Sequence, residues 1–136
     1  MILGNLINAI NIYNLLASQD VYTVLIGECS GLSTLIFLAA NENRRFALPY
    51  STYNIKYIKN DAHFYENSKK NERYKEFAKE IFSNKLSYAT SIAVMPKDFF
   101  NSSITENTIS SNDLENLKIA KIISSFQELN DNELNN

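Results

Sequence analysis

The chain has 136 residues, of which 45% are hydrophobic and 12% aromatic, and its formal net charge is −2. This composition predicts one folded domain and argues against an intrinsically disordered chain. The nearly balanced charge gives no electrostatic reason to expect binding to nucleic acid or to an acidic membrane surface. No apolar run approaches the roughly 20 residues of a transmembrane helix. The single cysteine, Cys29, cannot form an internal disulfide, which fits a reducing compartment.

The first third of the chain predicts a helix, a strand, a turn and a second helix. Apolar residues spaced by three and four over residues 2–18 are typical of an amphipathic helix. Residues 21–26 form a short, β-branched run, which predicts a strand buried on both faces, as in a parallel sheet. Residues 27–31 predict a turn in which Ser30 caps the next helix. That helix, at residues 32–40, carries almost no charge and is therefore expected to be buried, either within the domain or at a subunit interface.

The rest of the chain predicts two more strands and two more helices. Residues 46–48 and 53–57 read as short strands on either side of Pro49. Residues 72–88 predict an amphipathic helix within a longer charged segment. A helix-start signal at 110–113 precedes a single apolar face, which is formed by Leu114, Leu117, Ala120 and Ile123. We predict one domain over residues 1–128 and a flexible polar tail over 129–136.

Two motifs carry a resemblance to a known family. The stretch GECSGLS at 27–33 joins a predicted strand to a predicted helix, and RRFALPYS follows at 44–51. They resemble the G-Q-A-A-S-M-G nucleophile motif and the K-R-F-x-L-P-N-S motif of ClpP, the proteolytic subunit of the Clp protease. The likeness extends over about residues 4–125. It implies an α/β fold, the ClpP/crotonase-like superhelix of repeated strand–strand–helix units, here shortened at its N-terminus.

The resemblance also implies where the catalytic triad of this serine endopeptidase family would lie. The nucleophile position holds Gly31, the histidine position holds Lys56, and the aspartate position holds Glu106. The oxyanion region falls on Gly4 and Leu32. Glycine supplies no nucleophile, and a lysine is protonated near pH 7 unless burial lowers its pKa strongly. The triad is therefore expected to be lost, and we expect neither a cofactor nor a metal.

Three alternatives would keep some chemistry at this place. Ser30 or Ser33 could act with Lys56 as a serine–lysine dyad in a divergent serine peptidase. Cys29 could act as a thiol nucleophile at a helix N-terminus, although a lone cysteine there more often fills the core. His63 could be a relocated general base, although a solvated histidine is the simpler interpretation. One histidine and one cysteine are too few good ligands for a zinc site.

Two further features could serve binding. Arg44 and Arg45 could hold an anion, or they could form a salt bridge at a subunit interface. The aromatic-rich segment at 64–88, together with Phe99 and Phe100, could bind peptide. Alternatively, it could pack against neighbouring subunits, as the projecting handle of the family does.

These observations predict a non-catalytic structural or regulatory subunit, similar to the R-type subunits of the family. Its partners would be catalytic Clp proteolytic subunits in a mixed ring and, indirectly, an AAA+ Clp unfoldase. A degenerate relic without a partner is a further hypothesis. Asn, Ile, Lys and Tyr are abundant, and their codons are A/T-rich. That bias suggests the stroma of a plastid or apicoplast-type organelle, or a bacterial cytoplasm.

Overall fold

The structure is a computed structural model, and it describes residues 6–58, 64–94 and 104–129. Within these ranges helices and strands follow one another along the chain, with a short 3₁₀ turn at Glu42–Arg44. The helices are α1 Leu6–Ala17, α2 Leu32–Phe37, α3 Phe64–Lys85, α4 Tyr88–Val94, α5 Ser111–Asn116 and α6 Phe126–Leu129. The strands are β1 Thr23–Leu25, β2 Glu28–Ser30, β3 Arg45–Ala47, β4 Thr52–Ile58, β5 Ile104–Ser110 and β6 Lys121–Ile122.

The strands form two three-stranded sheets, and the chain passes between them in a repeating order. The first sheet has the order β1-β3-β6 and is parallel throughout. In the second sheet β2 pairs parallel with β4, which pairs antiparallel with β5. In each unit a strand of the first sheet is followed by a strand of the second sheet and then by a helix. The first unit is β1, β2 and α2, and the second is β3, β4 and α3. These two successive units confirm the predicted strand–strand–helix architecture.

The core lies between the sheets and the first three helices, where α1 packs on α2 and both contact α3. Each large apolar side chain that this core removes from water stabilises the fold by about 1.5–3 kcal/mol, before conformational entropy is counted. The fully buried residues of this core include Leu35, Leu38, Tyr53, Ile55, Phe82, Leu114 and Ile119. A smaller cluster of Phe46, Ile123 and Leu129 covers the other side of the first sheet. The helix α2 thus lies where its lack of charge predicted.

Several predicted details of the first half of the chain are wrong. The strand β1 is buried only at Leu25, and Ile26 after it is 59% exposed. The stretch that predicted a plain turn contains β2, a strand too short to show a sequence pattern of its own. Consequently Ser30 ends a strand and does not cap α2. The N-cap is Gly31, and no side chain caps the helix.

The end of the described chain also differs from prediction. The helix α5 stops at Asn116 because Lys118 takes a left-handed conformation with φ 59°. As a result Ile123 lies beyond the strand β6 and not on the predicted helical face, although it is buried. Leu129, assigned to the flexible tail, ends α6 and packs against Phe46 and Ile123. Residues 130–136 lie outside the described residues.

The two adjacent arginines make their contacts within the chain. Arg44 forms an ion pair with Asp20 and lies 4.9 Å from the ring centroid of Tyr22. Arg45 is only 1% exposed, so the predictions that it holds an anion or forms a salt bridge at an interface are wrong. Its Nε donates to the carbonyl of Ile119 at 2.7 Å, and its Nη1 donates to that of Ala40 at 2.9 Å. Arg45 therefore fastens the end of the α2 region to the segment that enters β6.

Candidate active site

The turn from β2 into α2 has the shape of a nucleophile elbow, with a glycine at its apex. Gly31 has φ 64° and ψ −133°. This combination lies close to a region that only glycine occupies without strain. In α/β hydrolases, a sharp strand-to-helix turn of this kind exposes the attacking hydroxyl. Here the apex residue is Gly31, which has no side chain that could attack a substrate.

A small network of hydrogen bonds holds this turn. The N–H of Gly31 donates to the carbonyl of Asn54 on β4 at 3.3 Å. The carbonyl of Gly31 accepts from the N–H of Thr34 at 3.1 Å and from its hydroxyl at 2.6 Å. The buried Tyr53 hydroxyl donates to the carbonyl of Thr34 at 2.6 Å. The elbow is therefore fixed both to the neighbouring strand and to the first turn of α2.

Sequence reasoning identified Gly31 but neither Thr34 nor Tyr53, the two residues whose side chains hold this turn. A threonine three positions after a helix-initiating glycine is a signal for a local hydroxyl–carbonyl bond, and Thr34 satisfies it. A tyrosine in an apolar strand suggests that its hydroxyl needs a buried partner, as Tyr53 does. Neither pattern on its own indicates catalysis.

Two of the three triad-equivalent positions lie in the second sheet, and the third, Gly31, directly follows its strand β2. Ser30, which precedes Gly31, is the register partner of Asn54. Lys56 lies two residues further along β4, a rise of about 7 Å, and its register partner on β5 is Glu106. The predicted nucleophile, base and acid positions thus occupy the end of β2 and adjoining places on β4 and β5. The assignment of these positions from the family motif stays a prediction.

The alternative serine nucleophiles lie in different surroundings. Ser30 is half-buried on β2, and Ser33 is exposed on the first turn of α2. Ser33 lines a groove of about 370 Å³ whose described walls come from β1, β2 and α2 and do not include β4. The pairing of either serine with Lys56 in a dyad stays a prediction.

Cys29 lies in β2 against the hydrophobic core. Burial raises the pKa of its thiol to about 12 from an ordinary value near 9. A thiol nucleophile needs the opposite shift, because only the thiolate reacts at neutral pH. The core-filling interpretation of Cys29 agrees with this environment.

Two of the predicted site residues, Gly4 and His63, lie outside the described residues, and so do Phe99 and Phe100. Leu32, the other oxyanion-region residue, is buried as the first residue of α2. Among residues 6–58, 64–94 and 104–129, no three His, Cys, Asp or Glu side chains cluster closely enough to hold a metal ion. Over the same ranges, no helix has the length and apolar character that crossing a membrane requires.

Comparison with solved structures identifies the architecture. A mutant of ClpP1 from Listeria monocytogenes superposes with a TM-score of 0.65 at 20% identity, over 89% of this chain. The fold is ClpP-like. A peptidase from Plasmodium falciparum gives a TM-score of 0.60 at 18% identity, over 86% of this chain. No family model and no curated protein matches the sequence.

The match covers only part of each ClpP-like neighbour. The chain spans 68% of the Listeria ClpP1 chain and 63% of the Plasmodium peptidase chain. The ClpP-like fold predicted from the two motifs is therefore confirmed, in a shorter form than in these solved chains.

Proposed function

We propose that this chain is a non-catalytic subunit of a Clp-type peptidase ring. The observation that carries the proposal is the elbow at Gly31, which keeps the strand–turn–helix geometry without a nucleophile. The positions expected for base and acid hold Lys56 and Glu106, which are register partners on adjoining strands. A lysine that stays protonated cannot accept the proton of a serine, so substituting the glycine alone would not restore the triad.

The proposed partners are catalytic Clp proteolytic subunits in a mixed ring. Such a contact needs apolar surface that the fold leaves uncovered. The helix α2, first considered for this role, buries most of its apolar residues within the chain. Uncovered apolar side chains lie instead on α1, at Ile12 and Leu15, and on α4, at Tyr88 and Ile92. Because their spacings place each pair on one face of its helix, these two faces are the candidate ring contacts.

The subunit's role would be structural or regulatory, because it would occupy ring positions without adding active sites. An AAA+ Clp unfoldase would meet it only through the assembled ring. The proposed compartment is the stroma of a plastid or apicoplast-type organelle, or a bacterial cytoplasm. Support for that location comes from composition alone.

Active-site labelling tests the loss of catalysis directly. The chain would be co-expressed with the catalytic Clp subunit of its own source and treated with a fluorophosphonate probe, which reacts with activated serines. We expect label on the catalytic subunit and none on this chain. Label that this chain acquires and loses in Ser30→Ala or Ser33→Ala would overturn the proposal in favour of a divergent serine peptidase.

A further inference from the structure

We draw no further inference here: the strongest candidate, the pocket of about 210 Å³ between the 3₁₀ turn and the segment that joins α5 to β6, is lined by Glu42, Glu115, Lys118 and Lys121, whose charges balance, and nothing in the structure shows which ligand it would hold.

Discussion

Substitution of Gly31 tests whether the elbow geometry is present in solution. With φ 64° and ψ −133°, any side chain at this position costs about 1–3 kcal/mol of backbone strain. The new side chain also restricts the unfolded chain, which offsets about 0.4–1 kcal/mol of that strain. We therefore expect Gly31→Ala to lower the free energy of unfolding by about 1–2 kcal/mol.

Urea denaturation monitored by circular dichroism would measure this change, with two controls. Ser33→Ala changes an exposed residue on the same helix and should stay within about 0.5 kcal/mol of the unsubstituted protein. Gly27→Ala also places a side chain at positive φ, here 76°, where the added Cβ meets no atom within 4 Å. It should cost about 1 kcal/mol from strain alone.

The serine variant separates strain from chemistry. Gly31→Ser should be destabilised about as much as Gly31→Ala and should not hydrolyse peptides, because position 56 holds a lysine. A free energy of unfolding for Gly31→Ala within about 0.5 kcal/mol of the unsubstituted protein would refute the elbow conformation. Peptide hydrolysis by Gly31→Ser alone would refute the argument that the base is missing.

Three further predictions concern stability and pH. Because burial raises the pKa of Cys29 from near 9 to about 12, its stabilising contribution is full below the unfolded-state pKa near 9. That contribution should decline as pH rises towards 12, so Cys29→Ala should make the pH dependence of stability less steep in urea titrations, while Tyr13, whose pKa burial also raises, keeps its own share. Arg45→Met leaves the carbonyls of Ile119 and Ala40 without their donor. It should lower the free energy of unfolding by about 2–4 kcal/mol, and a change below about 0.5 kcal/mol would contradict that role. Tyr50 is 95% exposed with φ 65°, so Tyr50→Gly should raise the thermal unfolding midpoint and stabilise by up to about 1 kcal/mol. A lowered midpoint would show that this side chain makes a stabilising contact.

Long patterns in the sequence predicted most of the helices and the strands they connect. The uncharged run before Asn41 predicted that α2 is buried. The apolar spacing along α3 predicted which face of that helix is buried. The motifs around Gly31 and Pro49 then identified the fold class, because the residues between them match the family pattern without a gap. Sequence reasoning therefore recovered the architecture, while the place of the site stays a prediction.

Shorter features escaped prediction for physical reasons. The strand β2 has three residues between two positive-φ glycines, Gly27 and Gly31, too few for any periodicity to emerge. The strand β6 has two residues and depends on its parallel contact with β3. The strand β5 was also not predicted, although its β-branched residues are typical of a strand. The burial of Arg45 also escaped prediction, because its partners are backbone carbonyls, one of which, that of Ile119, is 74 residues away in sequence.

Native mass spectrometry measures the central claim most directly. The chain would be analysed alone and after co-expression with the catalytic Clp subunit of its own source. The account predicts discrete mixed rings in the co-expressed sample, which Tyr88→Glu and Ile92→Glu should weaken by placing charge in the proposed contact. If the chain stays monomeric in both preparations, the ring-subunit account is contradicted, whatever the geometry at Gly31.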